Sequence, residues 1–193
     1  MKRKTAGLIL AAGRSSRLGQ AKALIHINGQ TVLERLIDVY VQCELEPVVV
    51  VTQGETYKTI ADRDDVDIVL GDPDTQMIDS VILGLEALNK DVQNVVIQPV
   101  DAAFTSVEMI SALRDGNPGV TRVLCHEGQP GHPILVPRSL FAEIQDRPRD
   151  GLRGVIADHD VELVEWGNEQ ILADLDTLAD LQRWQLPGAH ELH

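Results

Sequence analysis

Seven short runs rich in Val, Ile and Leu, separated by stretches of helical spacing, leave this chain few architectures. The runs lie at about 6–12 (AGLILAA), 47–52 (PVVVVT), 66–70 (VDIVL), 93–100 (QNVVIQPV), 120–125 (GVTRVLC), 132–136 (HPILV) and 161–165 (VELVE). Several are apolar throughout, the pattern of strands covered on both faces. Amphipathic stretches at about 31–43, 55–63, 77–89, 105–115, 138–146 and 176–184 fill the intervals. Alternation of this kind predicts an α/β fold of three layers, a mostly parallel sheet between two sets of helices. Thr31 and Glu34 have the spacing of a capping box at the start of the first helix, and Ser106 or Thr105 can cap the fourth.

The pattern loosens after Gly116, where CHEGQPGH joins two apolar runs through a glycine-rich turn, as in a hairpin or a small excursion from the main sheet. No internal repeat, low-complexity segment or linker divides the chain. We therefore expect one domain over residues 1–185 and a loose tail at 186–193, which carries Pro187 and Gly188.

Charge narrows the partners. Thirty Asp and Glu against 17 Lys and Arg give a formal net charge of -13, and a field of that sign repels both nucleic acid and anionic membrane surfaces. Residues 1–33, however, hold Lys2, Arg3, Lys4, Arg14, Arg17 and Lys22 and no acid. A local cationic site on an acidic body suits a small anion. The apolar run after Lys4 is shorter than the roughly 7 to 15 residues of a signal-peptide core, and no stretch reaches the roughly 18 apolar residues of a membrane span. With Cys43 and Cys125 far apart and no CxxC pattern, the thiols read as reduced and packed, and the chain as cytoplasmic.

The segment LAAGRSSRLGQAK, residues 10–22, begins where the first strand should end. In open α/β sheets that is the ligand-binding edge. Gly13 and Gly19 let backbone amides approach a ligand, while Arg17 and Lys22 can neutralise phosphate oxygens. The spacing is neither a Walker A loop nor a GxGxxG fingerprint. Asp101 follows the strand QNVVIQPV at the same edge, where it suits a carboxylate for a divalent cation and equally a helix cap or turn former. Asp174 and Asp176 alternate, so on extended backbone they point the same way and can share an ion; Asp176 or Thr177 can equally cap the last helix. His132 sits in the turn PGHP, and no histidine has zinc-site spacing.

LAAGRSSRLGQAK resembles the LAAGxSxRxGxxK signature of the nucleotidyltransferases related to molybdenum cofactor guanylyl- and cytidylyltransferases. The likeness continues through KALIHINGQTVLERLI, MIDSVILG at 77–84 and 100–104, and then through GHPILVPRSLF and DLDTLADL, which are similar to segments of the cytidylyl branch. The family usually reads GDxP where this chain has Val100, Asp101, Ala102 and Ala103; the acid matches and its neighbours differ, a departure that bears on the acceptor.

The resemblance implies a Rossmann-like, glycosyltransferase-A-type fold and Mg²⁺-dependent transfer of a nucleotidyl group to a phosphorylated acceptor. It places Gly13, Arg17, Gly19 and Lys22 around the triphosphate, Leu10, Ala11 and Ala12 beside the base, and Ser80 at the base or ribose. Asp101 would hold the metal, with Asp174 or Asp176 as second ligand, and His132 would lie on the acceptor side. The LAAG form implies CTP as donor, with molybdopterin the first choice of acceptor. Alternatives are another phosphorylated small molecule (a sugar, polyol, phosphonate or lactate derivative) or a nucleotide-binding module without turnover.

Overall fold

The computed structural model describes residues 4–13, 21–117, 119–146, 148–176 and 178–183. In chain order the main strands and helices are β1 (Thr5–Ala11), β2 (His26–Ile27), β3 (Gln30–Thr31), α1 (Val32–Gln42), β4 (Val48–Thr52), α2 (Gly54–Ile60), β5 (Asp67–Leu70), α3 (Met77–Glu86), β6 (Asn94–Pro99), α4 (Val107–Arg114), β7 (Thr121–His126), β8 (Gln129–Pro137), α5 (Phe141–Gln145), α6 (Gly151–Ala157), β9 (Val161–Glu165) and α7 (Leu178–Arg183). Seven strands form one sheet in the order β5-β4-β1-β6-β8-β7-β9. Neighbours pair in parallel except β8, which runs opposite to both β6 and β7.

The hairpin expected around CHEGQPGH therefore lies within the main sheet. Positive φ at Glu127 (50°) and Gly128 (76°) makes its turn, a conformation suited to hairpin twist. The detached hairpin is the two-stranded β2-β3 pair just before α1.

Alternation along the strands builds two cores. Ile9 and Ala11 of β1 join the core under α1 and α4, with Leu33, Leu36, Ile37, Met109 and Ile110. Leu8 and Leu10 join the opposite core under α3, α5 and α6, with Val81, Ile82, Phe141 and Val155. All seven β1 residues are buried, and central parallel strands need that apolar continuity. The Thr31–Glu34 capping box is formed: the Glu34 backbone N–H donates to Thr31 Oγ1 (3.2 Å), and the Thr31 N–H donates to the Glu34 carboxylate (2.8 Å). Ser106 caps α4, with Met109 N–H donating to its Oγ, while Thr105 is engaged elsewhere.

Helix α6 was not foreseen, because GLRGVIA carries two glycines and buries only Val155. No described helix is long and apolar enough to cross a membrane, and both cysteines are buried and free.

Gly7 marks the tightest contact between β1 and α1. A Cβ there would lie 2.4 Å from Cδ1 of Tyr40, whose ring is fully buried. Gly7→Ala should therefore destabilise the fold by about 1–3 kcal/mol through overpacking, lowering the urea midpoint at unchanged slope; an unshifted midpoint would show that the ring can move aside.

Candidate active site

The register of β1 and β6 sets the site. Leu10 pairs with Pro99, and the Val100 N–H donates to the Leu10 carbonyl at 2.9 Å. The chain segments leaving both strands therefore emerge side by side at the carboxyl edge of the sheet. One continues as the glycine-containing loop and the other carries Asp101 at once.

Lys22, in the first position of a short 3₁₀ turn ending at Leu24, sends its ammonium back to this edge. Nζ donates to Asp101 Oδ2 at 3.0 Å and also to Asp176 Oδ1. The three side chains are 16%, 24% and 39% exposed respectively, so solvent screens the cluster only in part. Burial alone would lower the Lys22 pKa, but its hydrogen bonds and charge interactions with Asp176 and Asp101 outweigh that and hold it above its ordinary value. One ammonium against two carboxylates leaves the triad with a net negative charge.

The C-terminal segment reaches this edge through backbone bonding. Leu175 N–H donates to the Asp101 carbonyl at 3.1 Å, and Leu175 is fully buried, so Asp176 is delivered next to Asp101. Asp174 on the same stretch is exposed. Desolvation, followed by the nearby charges of Asp101 and Asp176, raises its carboxyl above the usual range. Lys22 thus spans Asp101 and Asp176, and the charges of both carboxylates also reach Asp174.

A cleft of about 210 Å³ opens beside the triad, lined among others by Leu10, Ala12, Gly13, Ser80 and Asp101. Its floor depends on small residues. A Cβ on Gly71 would stand 2.9 Å from both the Ala12 Cβ and Val51 Cγ1, so the end of β5 lies close against the first loop. Asp72 and Thr75 add polar groups to the lining; Asp72 Oδ1 accepts from the Asp74 N–H, and its carbonyl from the Thr75 hydroxyl. Sequence reasoning singled out neither, since an Asp-Pro-Asp loop reads as a turn. Of the expected ligand residues, Arg17 and Gly19 lie outside the described residues, as do Thr177 and the segment 186–193. A larger cleft of about 480 Å³, lined by Thr5, Asn94 and Arg122, lies at the opposite end of the sheet. The guanidinium of Arg122 is committed there to the carbonyls of Ala112 and Leu113 and to Glu162.

His132 stands at the other flank. The β6–β8 pairing ends at Ile97 and Ile134, two residues after His132, and the imidazole is near enough to Asp101 to feel its charge. Its backbone neighbour Gly131 packs so closely that a Cβ would lie 2.3 Å from the Ile171 carbonyl oxygen. The His132 Nδ1 is buried and has no hydrogen-bond partner among the described residues. Burial pushes the imidazole below its ordinary value, although Asp101 draws it upward. A depressed histidine contributes stability that is complete above about pH 6.5, its unfolded value, and is lost as pH falls through the folded value. His132→Gln should therefore flatten the acid side of the melting-temperature profile below about pH 6.5; an unchanged slope would remove His132 from the linkage.

Comparison with known proteins identifies the family and supports the fold. The chain is 33% identical over 113 residues to the molybdenum cofactor guanylyltransferase of Xanthomonas euvesicatoria pv. vesicatoria (strain 85-10), covering 58% of this chain and 55% of that protein. It is 27% identical over 168 residues to the 2-C-methyl-D-erythritol 4-phosphate cytidylyltransferase of Frankia casuarinae, covering 79% of this chain and 58% of that one. The chain thus spans rather more than half the length of these curated relatives. In three dimensions it resembles the crystal structure of Rv0371c from Mycobacterium tuberculosis H37Rv with a TM-score of 0.84 at 24% identity, covering 95% of this chain and 98% of the other, which supports the fold. The model of the MobA-like NTP transferase domain matches residues 7–163, the stretch that contains β1, the first loop, Asp101 and His132, and to this family the chain belongs.

Proposed function

We propose that the chain transfers a cytidylyl group from CTP to a phosphorylated small molecule, with molybdopterin as first choice of acceptor, and releases pyrophosphate. The observation that carries this reading is the Lys22 ammonium held between Asp101 and Asp176 at the edge where β1 and β6 end. A cation is already stabilised between two carboxylates, beside a cleft of about 210 Å³ lined by the start of the first loop.

The donor set suits Mg²⁺. Among the described residues no three acidic, histidine or cysteine side chains are grouped to hold a metal, but Mg²⁺ is usually bound by one or two carboxylates, with substrate phosphates and water completing the shell. Asp101 and Asp176 are the carboxylates that would hold it. Bound there, it would neutralise charge on the α-phosphate. With a triphosphate bound, the Lys22 ammonium would pair with the β- and γ-phosphates, whose negative charge would replace that of its present partners. An acceptor phosphate oxygen then forms a bond to the α-phosphorus as the bond to the bridging β-oxygen breaks. A phosphate nucleophile is already ionised, so the step needs alignment and charge neutralisation rather than a general base.

Ala12, packed against Gly71, with Leu10 and Ser80 forms the wall assigned to base and ribose. The LAAG form of the loop supports cytidine. A guanylyl reading has its own support in the Xanthomonas euvesicatoria relative, which is named as a guanylyltransferase, and a polyol phosphate acceptor in the Frankia casuarinae one. Pyrophosphate release with Mg²⁺ and each of CTP, GTP, ATP and UTP, with and without molybdopterin, separates these. Release that requires CTP and molybdopterin together is the expected result; release with GTP alone among the four reassigns the base.

Lys22→Ala should weaken triphosphate binding by about 10- to 150-fold, the loss of roughly 1.5–3 kcal/mol for a charge-assisted contact. Asp101→Ala should abolish metal-dependent turnover while leaving the circular dichroism spectrum unchanged. Wild-type rates in either variant would remove that residue from the mechanism.

A further inference from the structure

The strand β6 reads NVVIQP, and its one long polar side chain, Gln98, is fully buried. An amide withdrawn from water without partners costs roughly 1–3 kcal/mol on protein scales, so its contacts define what the position is for. Gln98 Oε1 accepts two hydrogen bonds, from Thr105 Oγ1 at 2.6 Å and from Tyr40 Oη at 3.3 Å. Its Nε2 donates to the carbonyl of Ala102. Three of the four hydrogen-bonding positions of the carboxamide are therefore used, two of them by the loop that carries Asp101.

These bonds fall on both sides of the turn. Ala102 immediately follows Asp101, and Thr105 ends the loop just before α4. Between them Ala102 and Ala103 are buried but offer only methyl groups for packing. Among the described residues the turn is also tied by backbone bonds, Ala102 N–H to Pro99 O at 3.2 Å, Ala103 N–H to Asp101 O at 2.9 Å and Leu175 N–H to the same oxygen at 3.1 Å, by the Lys22 ammonium on Asp101 and by Phe104 packed against the core under α1 and α4. The Gln98 carboxamide bonds the loop at two points to the central strand β6, and Tyr40, whose ring fills the notch at Gly7, braces the amide from α1. Thr105 spends its hydroxyl on this link, which leaves helix capping to Ser106.

From this network we infer that Gln98 is a positioning residue for the reaction: it sets the place of the Asp101 carboxylate through the Ala102 carbonyl and the Thr105 hydroxyl. The inference rests on the reading of Asp101 as a cation-holding carboxylate. Its loss loosens the turn, and a carboxylate that must hold a divalent cation against a bound triphosphate tolerates displacements of only about 0.5 Å.

Gln98→Met keeps the volume and removes all three bonds. It should lower kcat for pyrophosphate release by about 10- to 100-fold, the usual effect of losing a partner that orients a metal-binding group, with a higher Mg²⁺ requirement and a smaller change in KM for the nucleotide. Thr105→Val should act in the same direction and Thr105→Ser should restore wild-type behaviour, since serine keeps the hydroxyl. Binding of Mn²⁺ in the presence of CTP, read from the electron paramagnetic resonance of the free ion, should weaken in Gln98→Met and Thr105→Val but not in Thr105→Ser. A merely structural role predicts lower urea midpoints with wild-type kcat and Mn²⁺ affinity in the folded variants, and that result overturns the inference, as does equal impairment by serine and valine at 105. If wild-type protein releases no pyrophosphate from any triphosphate, the functional reading fails, and Mn²⁺ binding still decides the positioning claim. Weaker binding by Gln98→Met upholds it, and equal binding, or none by the wild type, overturns it.

Discussion

The parallel register between β1 and β6 is the constraint from which the site follows. Leu10 opposite Pro99, with the Val100 N–H on the Leu10 carbonyl, places the exits of two central strands a single strand spacing apart, so Gly13 and the Asp101 carboxylate line the same cleft. The register is held by burial from both sides. Leu8 and Leu10 pack into one core and Ile9 and Ala11 into the other, and a slip of one residue would exchange those faces.

Charge completes what the register begins. The edge gathers Asp101 and Asp176, and the Lys22 ammonium offsets part of their charge. Under the proposed function, the side chain that takes the phosphates is thus held on the carboxylates that would hold a divalent ion. On the same reading, arrival of a triphosphate with its metal would exchange these partners, so that no charge is left unpaired in the cleft. Such an exchange links the two binding events thermodynamically.

Legibility in the sequence followed the range of the interactions. β1, β4 and β6 were readable because strands buried on both faces must be apolar throughout, and the capping box of α1 was readable because Thr31 and Glu34 are three residues apart. Asp101 stood out as an acid directly after such a strand. By contrast Lys22 and Asp176 meet across 154 positions, and no local pattern announces that contact or the preference of Asp176 over Asp174. Helix α6, with two glycines and one buried residue, lacks the apolar periodicity by which helices are recognised. Gln98 left a trace, a polar residue inside a buried strand, yet its partners at 40, 102 and 105 exist only after the sheet and α1 have packed.

The most direct test of this exchange is calorimetric titration of the wild-type protein with each of the four nucleoside triphosphates, in Mg²⁺ and then in EDTA. The account predicts that the triphosphate which binds, CTP first, does so about 5- to 150-fold more tightly with Mg²⁺, the ordinary size of a coupling between two ligands. Equal affinity in Mg²⁺ and EDTA for every triphosphate that binds, or no binding of any, would contradict the assignment of Lys22, Asp101 and Asp176 to a shared cation and triphosphate site.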